Sequence, residues 1–254
     1  MTQIPNVNAE QIAECVERFR VARPHVHCIT NTVAQNFTAN VLLAAGGVPS
    51  MTIAAEEISD FVKMSDALLI NLGTLDDERR VAVEKAVDTA NQFKKPWVVD
   101  PVFVQASPLR LAVAKQLLDR LPSLVRCNAN EFQALFQDDP NMLSVVAQRH
   151  GTSIALTGQQ DHLSDGSNAI VVSNGSPLMA NVTAMGCALT ALMIGFHAVI
   201  PDKLLASVSA TVLFGLAGEY AERNSQGPGT AVPKFLDALA GLNTKDIVEG
   251  AKIS

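Results

Sequence analysis

Six short, continuous apolar runs punctuate the chain, each bounded by residues that favour turns: Val26 to Ile29, Ala67 to Leu72, Trp97 to Val99, Leu124 to Val125, Ile154 to Leu156 and Ile170 to Val172. A strand with one face in water alternates apolar and polar residues, so an unbroken apolar run marks a strand buried on both faces. Helical patterns lie between the runs. The clearest is Asp76 to Lys94, where Val83, Ala86, Val87, Ala90 and Phe93 form one stripe with charges opposite. Strands alternating with helices predict an α/β architecture, a mostly parallel central sheet with helices on both faces. The stretch Ile154 to Val172 breaks the rhythm, because two apolar runs are joined by Gly158 to Asn168 with an Asp165-Gly166 turn signal; a hairpin is expected there. Beyond it come two apolar helices, Cys187 to Val199 and Asp202 to Glu222. A break at Gly227-Pro228-Gly229 and a short helix near Val232 to Leu239 follow. No repeat, low-complexity tract or linker interrupts the chain, which predicts one domain over residues 1–254.

Composition narrows the functional classes. Of 254 residues, 48% are hydrophobic and 17% charged, with 19 Lys and Arg against 25 Asp and Glu, a net charge of −6. A disordered chain is excluded, and the basic excess that binds nucleic acid or an anionic membrane is missing. So little charge implies that much surface is buried, part of it at an oligomer interface. The nearly unbroken apolar run Cys187 to Ile200 is interrupted by Thr190, Gly195 and His197 and falls short of the roughly 20 residues a membrane span needs. Met1 to Asn8 carries no secretory leader pattern, so the expected compartment is the cytoplasm. Four widely spaced cysteines without C-x-x-C predict reduced thiols rather than a zinc site or disulfides.

In open parallel sheets ligands bind beyond the carboxyl ends of the strands, so polar residues there are candidates. Thr30-Asn31, Asn71 with Gly73, Asp100-Pro101, Arg126-Cys127-Asn128 and Thr157-Gly158 all occupy such positions. Each alone is ordinary turn chemistry; five together point to a site. Asn128-Ala129-Asn130-Glu131 places a carboxylate in the first turn of a helix directly after a buried strand. With Asp100 it would supply the oxygen ligands Mg²⁺ takes, the simpler reading being that Glu131 complements the helix dipole. Met185-Gly186-Cys187 opens an apolar helix, where a glycine lets backbone N–H groups approach a phosphate and the helix N-terminus favours negative charge, a thiolate included. Cys187 is thus a candidate catalytic group or else a small buried hydrophobe. The chain lacks G-x-G-x-x-G, G-x-x-x-x-G-K-[ST], H-E-x-x-H and G-x-S-x-G, the usual warrants for dinucleotide, P-loop, zincin and α/β-hydrolase chemistry. Its five histidines show no metal-ligand spacing, and His197 is read as a core or interface residue.

The residues then carry a family. His27-Cys28-Ile29-Thr30-Asn31 with Val33-Ala34-Gln35-Asn36 and Ala39-Asn40, Pro49-Ser50-Met51 and Glu56-Glu57 closely resemble hydroxyethylthiazole kinases of thiamine biosynthesis and salvage. So do Ala67 to Leu75, Asp100-Pro101-Val102, Asn128-Ala129-Asn130-Glu131, Leu156-Thr157-Gly158 with Asp161 and Ser164-Asp165-Gly166, Gly186-Cys187, and Gly227-Pro228-Gly229, in order over nearly the whole chain. The resemblance implies a ribokinase-like three-layer fold, a homotrimer with sites near subunit boundaries, and Mg²⁺-assisted transfer of the ATP γ-phosphate to the primary alcohol of 4-methyl-5-(2-hydroxyethyl)thiazole. By the same resemblance, Met51 and Gly186 border the thiazole with Asn31 beside them, Arg126 and Thr157 contact ATP, Asp100 and Glu131 organise metal and phosphate, and Cys187 takes the position of the aspartate base of other ribokinase-like enzymes. The sequence departs from the family pattern at Ala184-Met185, where Gly-Thr is usual, at Phe103-Val104-Gln105, at Cys127 and at Asn130; the segment between Phe136 and Gly151 is also shortened. The alternatives are a kinase of another small alcohol and a non-catalytic binding relative.

Overall fold

The computed structural model describes residues 7–254; the leader expectation for Met1 to Asn8 falls mainly outside them. Eight strands form one sheet in the order β2-β1-β3-β4-β5-β6-β7-β8: β1 His25–Ile29, β2 Val48–Ser50, β3 Ala67–Asn71, β4 Trp97–Asp100, β5 Leu124–Cys127, β6 Ser153–Leu156, β7 Asp161–Ser164 and β8 Ala169–Val172. The first six in that order pair in parallel and the last two antiparallel. Helices cover both faces, as the alternation of patterns predicts.

The continuous apolar runs are explained by which face each residue takes. In β3, Ala67 and Leu69 join one buried cluster and Leu68 and Ile70 the other. In β4, Val98 faces the first cluster and Trp97 and Val99 the second; in β5, Leu124 faces the first, with Val125 and Cys127 on the second. Two-residue periodicity continues beyond the last apolar residue, so Asn71, Asp100 and Arg126 lie on the face of Leu69, Val98 and Leu124. That register sets a row of polar groups at the carboxyl ends of three adjacent strands, against the face covered by helix α8, Met185–Val199.

Two expectations need correction. The segment Gly158 to Asn168 is not a plain hairpin loop: it contains β7, so β6, β7 and β8 form an antiparallel meander and the two apolar runs are not neighbours. The strand was hidden because Asp161-His162-Leu163-Ser164 at the sheet margin has one strongly apolar residue. The turn signal sits between β7 and β8, where Gly166 has φ 91° and Asp165 Oδ1 accepts from Ser167 and Asn168 N–H. Gly227-Pro228-Gly229 is likewise less a break than a start. Gly227 caps a helix, α10, running Pro228–Gly241, with Pro at its first position.

The two apolar helices are α8 and α9, Lys203–Asn224. Both are largely buried in this chain's own core. In α8 every residue from Ala188 to Phe196 is buried, and Phe196 stacks on Phe19 at 4.4 Å between ring centroids. His197 Nε2 lies 2.8 Å from Ser207 Oγ, and burial lowers its pKa to about 3, so the ring is neutral; it is partly exposed, like Ala198 and Val199 after it. Among the described residues α9 alone is long and apolar enough by length and composition to cross a membrane, and 83% of its most apolar window is buried in the protein.

Candidate active site

Asn71 and Asp100 of the polar row are linked by hydrogen bonds to Asn31, Thr190 and Cys187, and Arg126 joins them by charge alone. Asn31, just past β1, donates from Nδ2 to Asn71 Oδ1 at 3.1 Å and to Cys187 Sγ at 3.4 Å, while its Oδ1 accepts from Ala34 N–H at 3.0 Å. Asn71 is held in turn, because Oδ1 also accepts from Gly73 N–H at 3.0 Å and Nδ2 donates to Asp100 Oδ2 at 2.8 Å. Asn71 and Asp100 are direct register partners across β3 and β4. From the helix side, Thr190 Oγ1 lies 3.1 Å from the same Oδ2 and 2.9 Å from the Gly186 carbonyl.

Asp100 is completely buried, and its second oxygen, Oδ1, has no hydrogen-bond partner. The Arg126 guanidinium stands 4.0 Å away, too far for a hydrogen bond but close enough to attract. Burial dominates even so and pushes the Asp100 carboxyl up to about 6. Arg126 packs across Gly186: a Cβ there would lie 2.5 Å from Nη1 and 2.8 Å from Cζ. The glycine therefore makes room for the arginine head, rather than for a direct approach of ligand to backbone at that atom.

At the head of α8, Ala184 takes φ 68° and offers no side-chain cap. This is the left-handed conformation at which glycine is usual, and an L side chain there adds strain. The N–H groups of Met185, Gly186 and Cys187 have no acceptor within the helix, whose first bond runs from Ala188 N–H to the Ala184 carbonyl, so three donors are left at the positive end of the helix dipole. Cys187 is half-buried, and its thiol is pushed up to about 12, first by burial and then by the charge of Asp100. The helix terminus does not make a thiolate, contrary to the expectation; loss of water outweighs the dipole.

Glu131 behaves differently from Asp100. Its Oε2 accepts from Asn128 N–H at 2.9 Å while Asn128 Oδ1 accepts from Glu131 N–H at 2.9 Å, a reciprocal capping box opening α6, Ala129–Phe136. Its Oε1 accepts from Phe103 N–H at 3.0 Å. Phe103 is 60% exposed with φ 56°, a strained position for a bulky residue, and the carboxylate pins it. Thr157 follows β6, with its N–H on the Cys127 carbonyl at 2.8 Å, and the next amide, Gly158, is held by Asp161 Oδ1 at 3.0 Å. Met51 follows β2 at the sheet edge and packs against the α8-side core. All four cysteines are unpaired.

The structure thus gathers Asn31, Asp100, Arg126, Gly186 and Cys187 into one network. Glu131 and Thr157 sit beside it on neighbouring elements, and Met51 approaches from the sheet edge. Asn71 and Thr190 are members that sequence reasoning left without a role. Each had a signal: an amide inside an unbroken apolar strand, and a hydroxyl one turn after Cys187 in an apolar helix.

The Hydroxyethylthiazole kinase family profile matches residues 16–245. The chain belongs to the hydroxyethylthiazole kinase family. A probable hydroxyethylthiazole kinase of Agrobacterium fabrum is 43% identical over 96% of this chain and 95% of its own length, and a hydroxyethylthiazole kinase of Pectobacterium atrosepticum is 39% identical over 97% and 99%. A solved hydroxyethylthiazole kinase of Pyrococcus horikoshii superposes with TM-score 0.92 at 38% identity, covering 96% of this chain and 98% of that one. A ribokinase-like superfamily protein of Enterococcus faecalis, at TM-score 0.66 and 14% identity, shares the fold. The ribokinase-like three-layer architecture and the phosphotransferase class expected of this family member both hold.

Proposed function

We propose that this hydroxyethylthiazole kinase family member transfers the γ-phosphate of ATP to the primary alcohol of 4-methyl-5-(2-hydroxyethyl)thiazole at the strand-end network. The observation that carries the reading is the buried, unpartnered Asp100 Oδ1 between the Arg126 guanidinium and the uncapped head of α8. A buried carboxylate oxygen without a partner, beside a guanidinium and a helix N-terminus, suits a triphosphate with its counter-ion.

Arg126 and the N–H groups of Met185, Gly186 and Cys187 bind phosphate oxygens and stabilise charge as it spreads in the transition state. Thr157 contacts the phosphates from β6, and Met51 with Gly186 borders the thiazole. Asn31 has its amide taken up by Asn71, Cys187 and Ala34, so it acts on the substrate through the thiol it holds rather than by direct contact. Asp100 Oδ1, a buried carboxylate oxygen without a partner, would hold Mg²⁺. When bound, the metal neutralises triphosphate charge. Glu131 is a positioning residue in this scheme, because both its oxygens already accept backbone N–H groups.

The alcohol oxygen forms its bond to the γ-phosphorus as the bond to the β–γ bridging oxygen breaks and ADP leaves. A loose transfer needs little proton removal beforehand, so the Cys187 thiol stays protonated and orients the hydroxyl, whose own proton passes to the transferred phosphoryl oxygens as the bond forms. We further propose a homotrimer in the cytoplasm. Val48 of β2 and Leu43 of the helix Gln35–Ala45 packed on that strand are exposed apolar side chains that offer surface for assembly. Incubation with ATP, Mg²⁺ and the thiazole alcohol should yield its phosphate ester, identified by mass and phosphorus NMR; folded protein yielding none overturns the reading.

A further inference from the structure

His27 is fully buried and lies outside the phosphate network, yet both its ring nitrogens are engaged. Nε2 lies 3.0 Å from the Thr52 carbonyl and Nδ1 lies 2.7 Å from Ser50 Oγ. A carbonyl only accepts, so Nε2 carries the hydrogen and Nδ1 of the neutral ring accepts from the Ser50 hydroxyl. Ser50 Oγ then accepts from His25 Nε2 at 2.8 Å. The chain of bonds therefore has one direction: His25 to Ser50 to His27 to the Thr52 carbonyl. Burial lowers the His27 pKa to about 4, so the ring is neutral and this direction persists at neutral pH. The segment is pinned beyond Thr52 as well, since Thr52 Oγ1 donates to Glu57 and accepts from Ala54 N–H at 3.3 Å.

Ser50 and Thr52 are the two neighbours of Met51. The ring packs toward Phe61, with centroids 5.7 Å apart, whereas Met51 packs against the core on the opposite, α8 side of the sheet. One imidazole thus clamps the residues before and after Met51 from the face that Met51 does not use. We propose that His27, acting through Ser50 and the Thr52 carbonyl, is the positioning residue that sets where Met51 stands and thereby the affinity for the alcohol substrate. This rests on the reading that Met51 borders that substrate. A structural core histidine would be satisfied anywhere along β1; this one spends both bonds on the flanks of a single side chain.

The experiment compares steady-state kinetics of four variants with the parent chain, using the thiazole alcohol and ATP. Ser50→Ala removes the donor to Nδ1 with almost no change in volume and should raise KM for the alcohol about threefold, with kcat and KM for ATP unchanged. His27→Phe keeps a ring and loses both bonds, which should raise KM for the alcohol about tenfold. His27→Gln keeps a donor within reach of Thr52 and should fall between His27→Phe and the parent. Met51→Ala should raise KM for the alcohol by at least as much as His27→Phe. If Met51→Ala raises it while Ser50→Ala and His27→Phe leave it within twofold, the positioning role is wrong and the site reading stands. If Met51→Ala leaves it unchanged, both fall. If KM for ATP rises in step with KM for the alcohol in Ser50→Ala, His27 merely supports the fold and the proposal is overturned.

Discussion

Two carboxylates stand close to adjacent strand ends, Asp100 closing β4 and Glu131 in the first turn after β5, and both are buried. Their surroundings are opposite. Glu131 has one backbone N–H on each oxygen, so its charge is consumed in holding the start of α6 and the strained Phe103 in place. Asp100 has donors on Oδ2 only, and Oδ1 faces Arg126 across 4.0 Å without a bond. A satisfied buried carboxylate is a structural part; an unsatisfied one is a cost to the fold, tolerated where a ligand completes it. That difference is the physical ground for proposing chemistry at the end of β4 and an architectural role at the start of α6.

The largest expected effect is at Asp100. Asp100→Asn should lower kcat/KM by about 10³-fold, because it removes the charge without the shape. Its effect on stability has the opposite sign. A carboxyl whose folded pKa is raised from the ordinary value near 4 to about 6 contributes stability that is full below pH 4 and is lost as pH rises through 6. Urea midpoints of nucleotide-free, metal-free protein should therefore decline between pH 4 and 7 more in the parent than in Asp100→Asn. Equal slopes would mean that Asp100 is compensated after all.

Arg126→Ala comes next, with kcat/KM for ATP falling about 10²-fold and the fold intact. Lys should rescue only in part, because it lacks the planar fork. Unchanged ATP kinetics would remove the cationic side of the comparison. Glu131→Gln should show the reverse balance: one buried N–H loses its acceptor, costing about 1–2 kcal/mol in denaturant unfolding, while turnover of the folded protein falls far less than in Asp100→Asn. A stable but inactive Glu131→Gln would merge the two carboxylates into one role. The smallest effect belongs to Cys187, where Ala should reduce kcat by no more than about tenfold. Asp, a better acceptor at a helix N-terminus, should retain or raise activity. A folded, ATP-binding Cys187→Asp that is dead would contradict transfer without an early base.

Most of the fold was legible because burial on both faces leaves apolar runs that nothing else explains, whereas Asn128-x-x-Glu131, read as a metal carboxylate or a helix-dipole partner, is a capping box. What escaped were β2, three residues long with Pro49 at its centre, and β7, whose four residues carry too little apolar signal to separate strand from loop. At the site, Asp100, Arg126 and Cys187 were visible as strand-end and helix-entry residues. Asn71 was visible there as well but without a role, and Thr190 was not visible, since what each does depends on which face of a strand or helix meets a partner distant in sequence. The two-residue rhythm from Leu69 to Asn71, Val98 to Asp100 and Leu124 to Arg126 carried that information, but only once the strands were known to be neighbours. The state of Cys187 was equally out of reach, because a helix N-terminus argues for a thiolate until the extent of burial is known.

Alcohol kinase activity at the strand ends is the claim on which the comparison depends. Its most direct test is ADP release by the purified chain with ATP and Mg²⁺, measured with and without 4-methyl-5-(2-hydroxyethyl)thiazole. The account predicts release that depends on the alcohol and matches the ester formed one for one. Release that is equal with and without the alcohol, or absent from folded protein that binds ATP, would contradict it.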